Sequence, residues 1–350
     1  MPTPTDILLI GAGPLGIEMA VGLQRAGLRY RHLEAHQIGA TMQWWPPGTR
    51  WFSSNERISI AGVPLVTPFQ EKATREEYLA YLRAVVEQFN LQIHTYTRVT
   101  GIERDREGFV VHSQRNIAGQ LLGEPQKHHA QKVILATGGT ERPNLLHIPG
   151  ENLPHVSHYF RDPHTYFGQR VMIVGGKNSA VEAALRCHRA GAKVLFCYRG
   201  AEVDKDRIKY WLYPEFSSLI KSGAILPFFS RNLVEIKPDH VLMSGPAGPE
   251  AAEVDFVLLM TGYLADMSLA RMAGVTLNDP SEVPTLDPET METNVPGLYV
   301  VGTAIAGTQG GERSYKVFLE NCHVHVERVV SHLKGKREHV EERVYDRPES

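Results

Sequence analysis

Residues 6–16 read Asp6-Ile-Leu-Leu-Ile10-Gly11-Ala-Gly13-Pro14-Leu15-Gly16, and Ile17, Met19, Ala20, Val21 and Leu23 follow at helical spacing. The unbroken apolar run before Gly11 is the pattern of a strand covered on both faces of a parallel sheet. Gly27 stands where a helix would end, and Leu28 to Glu34 reads as the next strand. Working outward, the same pattern returns 164 positions later (175 − 11), with Gly175 in place of Gly11, Ala180 in place of Gly16 and Gly191 in place of Gly27. Arg170 to Val174 repeats the first strand, Ala180 to Ala190 the helix and Lys193 to Arg199 the second strand. One such motif is a weak signal; two in register, each between a strand and a helix, mark two dinucleotide-binding folds.

The spacing has a physical reason. Glycine at the first two positions lets the backbone turn tightly and lets a pyrophosphate approach the peptide N–H groups, while the helix N-terminus adds partial positive charge. A small third residue lets the helix pack against its strand. The two copies differ at the end of the second strand. Glu34 is placed to accept hydrogen bonds from a ribose diol, whereas Tyr198-Arg199 offers a cation suited to a 2′-phosphate. That contrast predicts FAD at the first loop, on Gly11, Gly13, Pro14, Leu15, Gly16 and Glu34, and NADPH at the second, on Gly175, Gly176, Lys177, Asn178, Ser179, Ala180, Tyr198 and Arg199. Lys177 takes the place of the second glycine, where it either obstructs the approach or adds a charge to the phosphates.

Composition bounds the rest. Lys+Arg number 37 and Asp+Glu 39 in 350 residues, a net charge of −2 that argues against a nucleic-acid partner. Hydrophobic residues at 42% and charged residues at 22% are globular proportions. Cys187, Cys197 and Cys322 neither pair evenly nor form CxxC, which points to a reducing cytoplasm and away from a disulfide scaffold or a Cys-rich metal site. The N-terminus lacks the pattern of a signal peptide, and no apolar stretch reaches membrane-spanning length. His155, His158 and His164 lack metal-ligand spacing and read as linker and substrate-rim positions, so no metal is expected.

Two further segments fit the two-loop plan. Lys132 to Gly139 runs an apolar strand into Ala136-Thr137-Gly138, and Thr293 to Gly302 ends in another glycine, followed by Thr303. Together these stretches resemble the flavoprotein reductases of thioredoxin-reductase type. More closely they resemble the bacillithiol disulfide reductase group, through Trp51 to Pro64, His158 to Phe167 with Gly175 to Ala180, and Ile208 to Phe216. The resemblance implies an α/β fold with two Rossmann-like dinucleotide-binding domains, three-layer, the NADPH domain inserted into the FAD domain. It adds Phe52, Ser53, Ala136, Thr137, Gly138, Gly302 and Thr303 to the FAD set, and Lys209 and Gly262 to the NADPH set. It also makes Lys177 part of the pattern. The aromatic group Trp44, Trp45, Trp51 and Phe52 either shields the flavin ring or forms an ordinary interface core, with Trp44 placed in the FAD set.

Two departures stand out. Related chains carry Asp where Thr303 stands, and the family's proposed redox cysteine lies where this chain has Leu15. Leucine cannot attack a disulfide sulfur. Cys187 and Cys197 fall on apolar faces, which leaves Cys322, beside His323 and His325, as the one thiol candidate. The expected activity is hydride transfer from NADPH to FAD, then electron delivery to a small-molecule or small-protein acceptor, with a low-molecular-weight disulfide favoured by resemblance. Rival readings are a thiol-free ferredoxin or flavodoxin reductase, a flavin monooxygenase and a non-enzymatic nucleotide sensor. The expected FAD domain is 1–152 plus 294–333, the NADPH domain 154–288, and 334–350 a charged tail that includes Tyr345. Cysteine usage leads to an expected cytoplasmic location, and the resemblance implies a homo-oligomer.

Overall fold

The computed structural model describes residues 5–309 and 317–336. They divide into two compact units. One takes the described residues up to Gln43, Arg50–Arg142 and the described residues from Tyr263 onward; the other takes Trp44–Thr49 and Pro143–Gly262.

In the first unit, strand β1 (Thr5–Ile10) enters the loop that opens helix α1 (Pro14–Arg25). Pro14 occupies the helix's first turn, where its missing N–H costs no bond. The helix gives way to Gly27 at φ +71°, and strand β2 (Tyr30–Leu33) follows in parallel with β1. Helix α2 (Arg75–Gln88) opens on a capping box in which Thr74 and Glu77 bond each other's backbone. Strands β3 (Ile93–His94), β4 (Thr97–Arg104), β5 (Phe109–Ile117) and β6 (Gln120–Leu135) complete a sheet of order β3-β2-β1-β6-β5-β4. Strand β6 changes role along its length. It pairs antiparallel with β5 from Ile117↔Gln120 to Phe109↔Ala130, and its far end lies parallel between β1 and the strand Leu298–Val300. The run Ile7–Ile10 is buried because β1 has parallel neighbours on both sides.

In the second unit, β7 (Val156–Ser157), β8 (Arg170–Val174), β9 (Lys193–Tyr198), β10 (Ile225–Phe229) and β11 (Phe256–Leu259) form a parallel sheet of order β10-β9-β8-β11-β7. Helix α3 (Asn178–Arg189) crosses from β8 to β9. The sheet's side chains alternate between two cores. Val171, Ile173, Val194 and Phe196 pack with the α3 residues Val181, Ala184 and Leu185. Met172, Val174, Leu195 and Cys197 pack against Leu233, Ile236, Val241 and Met243 of a three-stranded antiparallel sheet. Helix, parallel sheet and antiparallel sheet are the three layers.

The fold class is α/β with two Rossmann-like units, as the repeat implies. The unit boundaries differ from the sequence reading in three places. Residues 143–152, expected with the FAD domain, fall in the second unit, where Leu146 and Ile148 pack against its core. Residues 263–288, expected with the inserted domain, pack with the first unit, because Ala265, Met267, Ala270, Ala273 and Val275 enter the core built on β4, β5 and β6. The prolines at 280–288 therefore lie within the first unit and do not mark the crossing: Pro280 and Pro288 are exposed, while Pro284 is buried in a short strand paired with Leu277. Trp44, expected beside the flavin domain's loops, lies in the second unit with the rest of Trp44–Thr49. There its ring meets Tyr159 edge-on at 5.0 Å, and Arg186 donates to the Pro47 carbonyl and to Thr49 Oγ1. Of the expected tail 334–350, residues from 337 on lie outside the described residues.

Candidate functional site: two glycine loops

At the first loop Gly11 turns at φ +101°, and its N–H donates to the Leu33 carbonyl at 2.8 Å. A side chain there would strike the Ala136 carbonyl, since an added Cβ would lie 2.4 Å from that oxygen. At Gly16 an added Cβ would lie 2.0 Å from the Gly11 carbonyl oxygen. Gly13 is different: its backbone is extended, and no atom approaches an added Cβ within 4 Å. Two glycines thus serve close packing, while the third leaves an open space at the N-terminus of α1. That is the geometry of an anion cradle.

Glu34, at the end of β2, is 8% exposed. Its Oε2 accepts from the Ala12 N–H at 2.6 Å and its Oε1 from the His36 N–H at 2.8 Å. Burial pushes the carboxyl up from the usual range, and these N–H donors pull it back. A carboxylate has about four lone-pair sites, so both oxygens retain capacity for a diol. Of the other residues in the expected FAD set, Ala136 lies against Gly11 and Gly302 against Leu15. The Ala136 N–H donates to the Ile10 carbonyl, Gly138 takes φ +78°, and Thr303 lies against Gly139. Gly302, at φ +74°, donates its N–H to His325 Nδ1 at 3.1 Å, and the side chain of Leu15 fills the space in front of it. Phe52 is partly exposed and its carbonyl accepts from Lys72, while Ser53 is half-buried in the same segment.

The second loop repeats the turn with different contacts. Gly175 has φ +147°, and an added Cβ would lie 2.4 Å from the Met260 carbonyl oxygen. At Gly176 a Cβ would lie 2.2 Å from the ring of Tyr198, and at Gly200 2.6 Å from the same ring, so Tyr198 rests between two glycines. Lys177 is the cap residue of α3; burial first, then Arg207 and Arg199, push its ammonium down from the usual range. Ser179 and fully buried Ala180 continue the first turn. Asn178 Oδ1 accepts from the Lys209 N–H at 2.8 Å, which ties the 208–213 segment to the loop. Lys209 is itself buried, its ammonium 5.7 Å from the centre of the Trp211 ring. Gly262 closes the unit at φ +98° with open space around it. Lys177, Arg199 and Arg207 are thus near enough for the two guanidinium charges to act on the ammonium.

None of the three thiols is presented for chemistry. Cys187 and Cys197 are buried and pushed up to about 12 by that burial. Cys322 is buried as well, its thiol donating to the Phe318 carbonyl at 3.0 Å and raised further still. The neighbouring histidines do not activate it. His323 Nδ1 faces Glu18 at 2.7 Å, and His325 is held neutral by burial. Among the described residues no group of three or more His, Cys, Asp or Glu is placed to hold a metal ion. Nor is any described helix long and apolar enough to cross a membrane.

Two dinucleotide cradles on one chain define a flavoprotein oxidoreductase that works with FAD and NAD(P)H. The sequence matches the family described as pyridine nucleotide-disulphide oxidoreductase over residues 8–302, and the chain belongs to that family. Among particular relatives, it is 31% identical to the bacilliredoxin reductase Bdr of Bacillus subtilis, over 95% of this chain and 98% of that one. The solved bacillithiol disulfide reductase Bdr of Bacillus cereus superposes with a TM-score of 0.88 at 31% identity, covering 95% of this chain and 99% of that one. A ferredoxin–NADP reductase of Ignicoccus hospitalis is 23% identical over 85% of this chain and 89% of its own length.

Proposed function

We propose that the first loop holds FAD and the second NADPH, and that the enzyme passes reducing equivalents to a low-molecular-weight disulfide. The observation that carries the reading is the contrast at the strand ends: a buried carboxylate at the first loop, and Tyr198, Arg199 and Lys177 at the second. A carboxylate at the first site suits an unphosphorylated ribose and repels a 2′-phosphate; the cations at the second do the reverse. The open space at Gly13 and the α1 N-terminus fit a pyrophosphate, and Gly11 and Gly16 hold the strand, loop and helix close enough to present their N–H groups to it. When bound, FAD supplies the two-electron chemistry that links a hydride donor to the acceptor. Arg199 and Lys177 neutralise phosphate charge, and Lys209 steadies the segment beside α3. Leu15 excludes water from the start of α1 and contributes no thiolate.

The disulfide reading is supported by the two Bdr relatives, each similar over nearly its whole length. The net reaction consumes one NADPH, one proton and one disulfide and yields NADP+ and two thiols. A second reading, electron delivery to a small redox protein, is favoured by Leu15 and by the burial of all three cysteines. The unpaired cysteines also support a cytoplasmic location, and the family resemblance supports a homo-oligomer. The test is an anaerobic titration with NADPH and then NADH, following the oxidised flavin band, with acceptors added afterwards. Preferential bleaching by NADPH, followed by thiol release from a small disulfide, is the expected result. Bleaching with no thiol release, but with turnover of a ferredoxin or flavodoxin, would replace the first reading by the second.

A further inference from the structure

Strand β2 carries a second side chain on the face that continues to Glu34. His32, two residues earlier, is fully buried, and its Nε2 lies 2.8 Å from the Gly11 carbonyl oxygen. A carbonyl oxygen only accepts, so Nε2 carries the proton and donates. Glu34 Oε2 meanwhile accepts from the Ala12 N–H at 2.6 Å. The carbonyl of Gly11 and the N–H of Ala12 belong to one planar peptide group. Two side chains of one strand therefore hold opposite ends of a single peptide.

That peptide follows Gly11, whose φ of +101° lies in the region a glycine enters freely and leaves as freely. Rotation of the plane would redirect the Ala12 N–H and, through it, the backbone that leads into Gly13 and the α1 N-terminus. We propose that His32 is a positioning residue for FAD: with Glu34 it clamps the Gly11–Ala12 peptide and so aims the loop's amides at the pyrophosphate. The inference rests on FAD occupying the first loop.

The ring is suited to that task. Burial first, with His94 acting in the same direction, lowers it to about 4, so it is neutral at physiological pH with its single proton on Nε2. Nδ1 is buried without a partner, so the Gly11 bond is what the residue's polarity is used for. At the equivalent place in the second unit stands Phe196, packed edge-on against Phe216 and unable to donate. The clamp belongs to the first loop.

The experiment measures FAD release from the diluted holoprotein by flavin fluorescence in wild type, His32→Leu and His32→Gln. Glutamine sets its amide nitrogen near the position of Nε2, while leucine keeps volume and removes the donor. Leucine is expected to weaken FAD binding about tenfold or more, the scale of a lost buried hydrogen bond, with glutamine within about threefold of wild type. Equal weakening in both variants, or wild-type binding in His32→Leu, would overturn the clamp. If His32→Leu does not fold, nitrogen-15 NMR of histidine-labelled wild-type holoprotein decides. A proton on Nε2 of His32 supports the clamp and one on Nδ1 overturns it. Gly13→Val separates this inference from the reading beneath it. FAD retained by Gly13→Val breaks the assignment of the loop itself. FAD lost there but unaffected in His32→Leu removes the clamp alone.

Discussion

At the first loop the residue ending the second strand is a carboxylate that bonds the Ala12 N–H; at the second, the residue 164 positions later is the ring of Tyr198, resting on Gly176. The backbone plan is shared: Gly11 and Gly175 both turn at positive φ, and each would drive a Cβ into a carbonyl of the neighbouring strand segment. What differs is how the loop is held and what charge it meets. The first is gripped by hydrogen bonds and presents open space at Gly13. The second is covered by an aromatic ring and fronted by a lysine at the position equivalent to Gly13. The comparison teaches that one backbone plan can be held in two ways and can present opposite charge at the strand end; under the proposed assignment that charge selects which dinucleotide enters.

The largest effect should come from filling the open space. Gly13→Val adds a side chain where nothing lies within 4 Å, so the fold should persist by circular dichroism while FAD binding falls by about a hundredfold or more. Unchanged flavin content would show that the first loop is not the FAD cradle. Next is Arg199→Ala, which should raise the KM for NADPH by about 10- to 100-fold, the loss of a charge-assisted bond to phosphate, and leave NADH nearly unchanged. Equal losses for both nucleotides would deny Arg199 the 2′-phosphate. Lys177→Gly makes the second loop resemble the first. If the ammonium serves the phosphates, NADPH affinity should drop about 3- to 10-fold. If it only obstructs, titration should show tighter binding. The smallest effect is expected for Cys322→Ala. Because this thiol is buried and protonated, acceptor turnover should stay within about twofold, while loss of its buried atoms costs about 1 kcal/mol of stability, read as a lowered unfolding midpoint. A variant that folds and no longer turns over would return Cys322 to the chemistry.

Much of the site was legible because glycine patterns are backbone requirements. Gly11, Gly16 and Gly175 are needed for turns and close approach, and those needs show in a single sequence. Glu34 was legible through its place at a strand end. Other features carry no such signal. Nothing in the order of residues says that His32 rather than its neighbours faces the Gly11 carbonyl, because a histidine in a buried strand reads as one more core position. The Tyr198 ring between Gly176 and Gly200 is a packing outcome of the same kind. The unit boundary went astray for a related reason: prolines at 280–288 signal turns, but only packing shows that Ala265 to Val275 belong to the first core.

By itself the sequence determined that two βαβ units follow one another at a fixed interval, that each opens on a glycine loop, and that the first loop carries leucine at position 15 and no thiol. These are local facts of backbone conformation and side-chain chemistry, and they survive any rearrangement of the rest. Only the tertiary structure decided which polar groups share a peptide, which cysteines are sealed from solvent and which segment completes which core. Those depend on contacts between residues far apart in the chain, where burial sets the strength of each hydrogen bond and the charge state of each ionisable group.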